Sequence, residues 1–253
     1  MVKMYRERIV SFYPVGGDNV LVIPKNTGLK GYAWKVLEEA GLKPRKWDTT
    51  VDTIVQDNWL KILLRRGEDI PQVVLDENAM ERTVIGLTGD DLFDEYRIRK
   101  SEHGLRVLNT YDWFDSEARF LRPALCLINK SGDVNDVPLD AKVALNGKYE
   151  ITGRNYLAND QKMEGRTFTV TTLHGDLEDA VARGPYDCCI DAVYSGRSID
   201  KRNLKVADII RFSDLVLITP IKEKSVRGIE ERTGKHWIPS EGKFKAREFP
   251  KWH

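Results

Sequence analysis

The segment 187–204 carries the residue types best suited to chemistry in this sequence. An apolar run ends near Asp191, and the tetrapeptide Ser-Gly-Arg-Ser at 195–198 leads from it towards a predicted helix. Open α/β sheets bind ligands at the carboxyl ends of their strands. Glycine lets the backbone approach a phosphate, and N–H groups at a helix start point at the anion. The segment therefore predicts a phosphate site, although the same residue types also serve as turn and cap residues.

Short apolar runs alternate with segments of helical period along most of the chain. This alternation is typical of buried strands separated by covering helices, and it predicts an α/β fold. We predict strands at 20–24, 84–88, 123–129, 141–145, 167–172, 187–193, 209–212 and 215–219.

The clearest helix has Leu29, Ala33 and Val36 on one face, with Asn26 or Thr27 as its cap and a left-handed stop at Gly41. Further helices are predicted at 53–66, 75–82, 90–96, 152–158 and 177–183. Residues 97–119 are polar with scattered aromatics and predict an irregular connection or a hairpin.

The charge balance excludes some classes of partner. The 253 residues contain 40 Lys+Arg and 39 Asp+Glu, a formal net charge of +1, so we expect neither nucleic acid nor a membrane surface as partner. No apolar run approaches the roughly 20 residues of a membrane helix, and the basic start lacks the apolar region of a secretory signal. Cys126, Cys188 and Cys189 lack CxxC spacing, which predicts buried thiols in a reducing cytoplasm.

Other blocks stand in order around the 187–204 segment. Residues 37–42 read Leu-Glu-Glu-Ala-Gly-Leu, residues 66–71 read Arg-Gly-Glu-Asp-Ile-Pro, and residues 85–91 read Ile-Gly-Leu-Thr-Gly-Asp-Asp. The runs 209–213 and 215–218 follow the segment as returning strands. With these blocks in this order, the region from about residue 20 to 219 resembles the ATP phosphoribosyltransferase family of histidine biosynthesis.

The resemblance implies a two-lobed fold of the type II periplasmic-binding-protein kind, with mixed and mostly parallel sheets. Mapped on this sequence, lobe one covers 1–118 plus 206–222, and lobe two covers 119–205. The remaining tail, 223–253, is basic with dispersed aromatics, and we interpret it as an arm packed on its own domain or on a neighbouring subunit. The family further implies a homo-oligomer.

The resemblance also implies a reaction. The ribose 5-phosphate of phosphoribosyl diphosphate would be joined to N1 of ATP with release of pyrophosphate, and Mg²⁺ would be held on the diphosphate without a distinct set of protein ligands. Asp191 is the expected catalytic residue, acting on the ribose hydroxyls or on the developing ring cation. The expected substrate-binding residues are Lys25, Arg66, Asp69, Arg154, Glu178, Ser195, Gly196, Arg197 and Ser198.

Two departures from the family leave alternatives open. Arg197 stands where the family has a small residue, and Lys25 and Lys30 replace a Lys-Gly-Arg turn. His174 also lies in an altered block, as a possible general base or as an incidental loop residue. A phosphoribosyltransferase of the same fold with a different acceptor is the first alternative. A non-catalytic intracellular module that binds a small anion is the second.

Overall fold

Short apolar runs, buried on both faces, form the middle strands of the fold. The structure is a computed structural model that describes residues 19–25, 27–39, 53–56 and 60–221. Its strands are β1 (Asn19–Pro24), β2 (Thr53–Gln56), β3 (Leu60–Arg65), β4 (Thr83–Gly89), β5 (Leu105–Tyr111), β6 (Ala124–Asn129), β7 (Asp140–Asn146), β8 (Thr167–Leu173), β9 (Cys188–Val193), β10 (Lys205–Phe212) and β11 (Leu215–Pro220).

These strands form two sheets. The first has the order β2-β3-β1-β4-β11-β5, and the second has the order β10-β6-β9-β7-β8. The β1–β3, β1–β4, β7–β8 and β7–β9 pairs are parallel, and the other pairs are antiparallel. The α/β class and the mixed sheets are thus confirmed, whereas the expected excess of parallel pairs is wrong because the edge and returning strands run antiparallel.

The helices cover these sheets. They are α1 (Thr27–Glu39), α2 (Ile70–Ala79), α3 (Asp90–Arg99), α4 (Glu150–Asn159), α5 (Leu177–Arg183) and α6 (Arg197–Lys201). In α3 the acidic first turn and the basic last turn both complement the helix dipole. α5 has the predicted bounds. The predicted caps at Asn26, Thr27 and Gly41 lie outside the described residues or side chains, as does the 223–253 tail.

The predicted helix at 53–66 is wrong, because this segment forms β2 and β3. β3 lies between β1 and β2, and Ile62, Leu63 and Leu64 are buried on its two faces. A continuous apolar run of this length suits a buried strand as well as a buried helix, and sheet pairing decides between them. The polar stretch 97–119 likewise contains β5, an edge strand of the first sheet.

The chain crosses between the sheets twice, once between β5 and β6 and again between β10 and β11. We predicted that lobe one resumes at residue 206. This part of the prediction is wrong, since β10 pairs with β6 in the second sheet and the return crossing lies at Ser213 and Asp214.

A half-buried ionic cluster stabilises the return crossing. Arg211 of β10 reaches Asp94 at 2.9 Å and Asp90 at 3.0 Å, both on α3 of the first lobe. The hydroxyl of Ser213 donates to Asp91 at 2.7 Å. Burial raises the pKa of Asp90 to about 7, against the opposing effect of the Arg211 guanidinium. In the part of the chain that the structure describes, no helix is long and apolar enough to cross a membrane.

Candidate active site

The carboxyl ends of the parallel strands from both sheets meet at one cleft. β3 ends at Arg65 and β4 at Gly89 on one side, while β7 ends at Asn146 and β8 at Leu173 on the other. A cavity of about 420 Å³ lies between them. Its lining includes Arg66, Glu68, Glu95, Arg99, Asn146, Gly147, Lys148 and His174. Since binding sites of α/β sheets form at such edges, this cleft is the candidate site.

Asp191 lies on β9, two residues before the strand ends. Its Oδ1 accepts a hydrogen bond from Nδ2 of Asn146 at 2.7 Å and another from the N–H of Ala192 at 2.7 Å. Burial raises the pKa of this carboxyl to about 6, and the hydrogen bond from Asn146 opposes the rise. Glu178 raises the same pKa further, whereas the cation of Lys148 lowers it. Asp191 is thus a carboxylate at neutral pH that loses its charge in mild acid.

The 195–198 tetrapeptide turns from β9 into α6. Gly196 is the residue before the helix and has φ +75°, in the left-handed region that favours glycine. The hydroxyl of Ser198 donates to Glu178 at 2.6 Å, so these two predicted residues meet. The N–H of Arg197 lies 3.5 Å from Oγ of Ser195. The Arg197 side chain is exposed and has no hydrogen-bond or ionic partner among the described residues.

Two residues between β5 and β6, Arg119 and Asp115, make hydrogen bonds to Tyr194, which precedes this loop. The N–H of Arg119 donates to the carbonyl of Tyr194 at 2.7 Å, and the Tyr194 hydroxyl donates to Asp115 at 2.6 Å. The Tyr194 ring also lies about 3.5 Å from the place where a Cβ on Gly28 of α1 would stand. The loop of the second lobe therefore contacts the first turn of α1 in the first lobe.

Ionic contacts also join the two sides of the cleft. Nζ of Lys148 lies 3.3 Å from Oε1 of Glu68. The carboxylate of Glu95, on α3, accepts the N–H groups of Thr152 at 2.6 Å and Ile151 at 3.2 Å at the start of α4. Arg99 of α3 donates to the carbonyl of Gly147 at 3.0 Å. These contacts fix the β7–α4 turn that carries Asn146, the partner of Asp191.

The other predicted residues lie in different surroundings. Arg66 is exposed and lines the cavity, and Lys25 is exposed beside it, since Pro24 of β1 pairs with Arg65 of β3. Asp69 precedes α2 and does not line the cavity. Arg154 forms an ion pair with Glu150 at 3.3 Å one turn away on α4. The cavity lining thus includes Arg66 and Asn146, the side-chain partner of Asp191. The other predicted residues lie outside this lining: Lys25, Asp69, Arg154, Glu178, Asp191 and the 195–198 loop.

Sequence reasoning did not single out Asn146, Lys148, Glu68 or Arg119. Asn146 and Lys148 follow the strand predicted at 141–145, so the sequence was sufficient to place them near the carboxyl end of a strand. Their pairing with Asp191 and Glu68 joins segments far apart in the chain, which no local pattern reveals. Glu68 lies inside the 66–71 block, next to a residue that was chosen.

Comparisons with known proteins agree with this geometry. The family model described as HisG: ATP phosphoribosyltransferase matches residues 66–234. The chain is 28% identical over 179 residues to the ATP phosphoribosyltransferase of Pseudomonas fluorescens, covering 69% of this chain and 74% of that protein. It is 29% identical over 167 residues to the Campylobacter fetus enzyme of the same name, covering 66% and 71% respectively.

Solved structures show the same fold. An ATP phosphoribosyl transferase (HisG:HisZ) complex from Thermotoga maritima matches with TM-score 0.58 and 18% identity, over 84% of this chain and 97% of that chain. The alkanesulfonate-binding protein SsuA of Xanthomonas axonopodis, bound to MOPS, matches with TM-score 0.51 and 12% identity, over 88% and 72%. The two-lobed binding-protein architecture is thereby confirmed. Together with the family match over residues 66–234, it assigns the chain to the ATP phosphoribosyltransferase family.

Proposed function

We propose that the cleft between the two sheets is where this chain carries out phosphoribosyl transfer. The reaction joins the ribose 5-phosphate of phosphoribosyl diphosphate to N1 of ATP and releases pyrophosphate, and the chain is a pentosyltransferase by family. The observation that supports this location is the half-buried Asp191 carboxylate, which lies between the 195–198 loop and Asn146, a residue of the cavity lining.

The 195–198 loop is the proposed site of the donor's 5-phosphate. The first N–H groups of a helix have no partner within that helix, and at the start of α6 the N–H of Arg197 makes only a long contact, 3.5 Å, with Oγ of Ser195. Arg197 supplies an exposed guanidinium, and the hydroxyl of Ser195 lies in the same turn. Ser198 donates its one hydroxyl proton to Glu178, so in this arrangement the phosphate donors are the backbone N–H groups, the Ser195 hydroxyl and Arg197. The loop thus offers donors to a phosphate with Asp191 one strand end away.

The first lobe is the proposed site of ATP. Lys25 and Arg66 follow two neighbouring parallel strands, and both side chains are exposed at the cleft end of the sheet. Two such cations suit a triphosphate, which needs local positive charge on a chain whose net charge is close to zero. Arg154 is a weaker candidate for acceptor contacts because it already pairs with Glu150, and Asp69, a carboxylate, would contact the ribose rather than the phosphates.

Asp191 has the proposed electrostatic role at the reacting carbon. When N1 attacks the anomeric carbon, the bond from that carbon to the diphosphate oxygen breaks and its electron pair leaves with pyrophosphate. Positive charge develops on the ribose ring while the bond breaks. A preorganised carboxylate in a buried site stabilises such charge without having to reorganise during the reaction. The hydrogen bonds from Asn146 and Ala192 hold one oxygen and leave the other for the ribose.

Mg²⁺ is the proposed cofactor, carried on the donor's diphosphate. Magnesium usually binds one or two protein carboxylates and completes its shell with phosphate oxygens and water. No group of three His, Cys, Asp or Glu suited to a metal occurs within the described residues. Oε2 of Glu68, in the cavity lining, is buried and has no hydrogen-bond partner in that part of the chain, so Glu68 fits a single carboxylate contact. The ion would neutralise charge on the leaving pyrophosphate.

We also propose a homo-oligomeric protein of the cytoplasm. Phe114 is 62% exposed and Leu139 is 70% exposed, which leaves apolar surface available for subunit contacts. The thiols of Cys126, Cys188 and Cys189 are free and buried, as expected in a reducing compartment. Light scattering on the full chain would measure the oligomeric state, and a monomer at micromolar concentration would refute that part.

Pyrophosphate release tests the function. The full chain is supplied with phosphoribosyl diphosphate and Mg²⁺, and with ATP, other nucleotides, free bases or ammonia as acceptor. We expect release with ATP and little with the other acceptors. Release with another acceptor but not with ATP would identify a different phosphoribosyltransferase. Donor binding without release for any acceptor would identify a binding module.

A further inference from the structure

The segment between β5 and β6 makes two hydrogen bonds to Tyr194, the residue just before the 195–198 loop. The Arg119 N–H holds the Tyr194 carbonyl at 2.7 Å, and Asp115 accepts from the Tyr194 hydroxyl at 2.6 Å. Asp115 is itself fixed, because its N–H donates to the Leu121 carbonyl at 2.9 Å. The backbone before the loop is therefore anchored to the first crossing.

The side chain of Arg119 reaches further, onto the loop itself. A Cβ placed on Gly196 would lie 2.7 Å from Nη1 and 2.9 Å from Cδ of Arg119, so the guanidinium covers the bare face of the glycine. The same Nη1 donates to both carboxylate oxygens of Asp200, at 2.7 and 2.9 Å. Arg119 thus spans the turn from Tyr194 through Gly196 to Asp200 on α6.

The exposure of this pair indicates that it adds little to global stability. The Arg119 side chain is 34% exposed and that of Asp200 is 57% exposed. Ion pairs in such surroundings contribute little to global stability because water screens them and ordering both side chains costs entropy. What the pair does fix is local: Gly196 sits at φ +75°, and a glycine turn has many other conformations available when nothing covers it.

We propose that Arg119 is a positioning residue for the donor, which holds the Gly196 turn in its phosphate-binding form through its anchor on Asp200. This rests on the proposed function, in which the loop binds the 5-phosphate. The Asp200 carboxylate offsets part of the guanidinium charge of Arg119, so the role assigned to Arg119 is to fix the turn rather than to bind the phosphate directly. Without the anchor, a smaller fraction of molecules has the loop in its phosphate-binding conformation. The apparent Kd for the donor rises in inverse proportion to that fraction.

The test uses Arg119→Met, Asp200→Asn and the double variant, each as the full chain. If the competent fraction falls to about a fifth, the most that an exposed ion pair of this kind supports, the KM and the calorimetric Kd for phosphoribosyl diphosphate rise about fivefold in each single variant. The double variant should show no more than the larger single effect, because the pair acts as one unit. We expect kcat and the KM for ATP to stay within about threefold of wild type, since the chemical step and the acceptor site are untouched. Arg119→Lys, which keeps the ion pair but loses the planar group over Gly196, should be intermediate.

A matched control is Arg82→Met, which removes another arginine–carboxylate pair, with Glu77 at 2.5 Å, at the start of β4 and away from the cleft. It should leave the donor KM unchanged. Thermal melts of all variants check that the fold is intact.

Three results would overturn the proposal. A weaker donor in Arg119→Met with unchanged or tighter binding in Asp200→Asn would make Arg119 a direct phosphate ligand. An equal rise in the KM values of donor and ATP would make the pair a general structural element. Unchanged donor affinity in both single variants would remove the role altogether. If wild type itself bound no phosphoribosyl diphosphate, the proposed function would fail instead, so the two failures remain distinct.

Discussion

The side-chain amide of Asn146 donates to Oδ1 of Asp191 at 2.7 Å, across two neighbouring parallel strands of the second sheet. With the N–H of Ala192 on the same oxygen, this contact fixes the direction of the carboxylate. Neither partner is charged, so the carboxylate is oriented without being neutralised. That combination suits a group that must meet positive charge only while the reaction proceeds.

Replacing Asp191 by asparagine should separate catalysis from folding. We expect kcat to fall roughly 10²-fold, the scale of losing one electrostatic contact to developing charge. The buried carboxylate gains no ion pair that would offset its burial, so the melting temperature should stay the same or rise. Steady-state kinetics and calorimetry on one preparation measure both quantities. Wild-type turnover in this variant would make Asp191 a structural residue.

The pH dependence of activity should report the same carboxyl. Because the pKa of Asp191 is raised to about 6, kcat/KM should rise with pH and level off above that value. Asp90, at the return crossing, has a pKa raised to about 7, so its titration overlaps that of Asp191 and must be distinguished from it. In Asp191→Asn the acid limb near pH 6 should vanish from the residual activity. A limb that persists unchanged would assign it to another group.

Stability should depend on pH in the opposite sense. The folded pKa of Asp191 lies above its unfolded value, so folding favours the protonated form. Its stabilising contribution is complete below about pH 4 and is lost as the pH rises through about 6. Asp191→Asn should therefore raise the melting temperature more at pH 7.5 than at pH 4.5. Equal shifts at the two pH values would contradict the raised pKa.

Lys25→Ala tests the proposed ATP site. A charged hydrogen bond is worth about 1–3 kcal/mol, so we expect the ATP dissociation constant to rise roughly 5- to 150-fold and donor affinity to stay nearly unchanged. The control is Lys130→Ala. Lys130 is an exposed lysine that follows β6 in the second sheet, and β6 runs antiparallel to β9, so Lys130 lies at the end of that sheet away from the cleft. Weaker donor binding with unaltered ATP binding would show that Lys25 contacts the diphosphate of the donor instead.

Gly196→Val should harm both donor binding and stability. The residue sits at φ +75°, where a β-branched side chain is strained by about 1–3 kcal/mol, and its Cβ would meet Arg119. The guanidinium of Arg119 already fills the face of the glycine that the valine would occupy, so the substitution must displace it. Donor binding by calorimetry should weaken at least tenfold, about 1.4 kcal/mol, with a lower melting temperature. Unchanged donor affinity would show that the 5-phosphate does not bind at this loop.

The sequence was most informative where local pattern and tertiary role coincide. α5 has the predicted bounds because its apolar face, its acidic first turn and the Gly184 that follows all agree. β3 was misread because a strand buried on both faces has no period of its own. β5 was missed because an edge strand tolerates polar residues such as Arg106 and Asn109.

The candidate site divides in the same way. Asp191 and the 195–198 tetrapeptide lie in one continuous segment, and their residue types indicated a phosphate site before any fold was known. Asn146 and Arg119 join that segment only through sheet order and through the path of the first crossing. Contacts of this kind depend on which strands become neighbours, which is a property of the whole chain.

The most direct measurement is the bond that the enzyme makes. The full chain is mixed with Mg²⁺, ATP carrying ¹⁵N at N1, and phosphoribosyl diphosphate carrying ¹³C at the anomeric carbon, and the product is followed by NMR. We expect a one-bond ¹³C–¹⁵N coupling to appear in step with pyrophosphate release, and to form roughly 10²-fold more slowly with Asp191→Asn. Pyrophosphate release without that coupling, or coupling at an equal rate in the variant, would contradict the account.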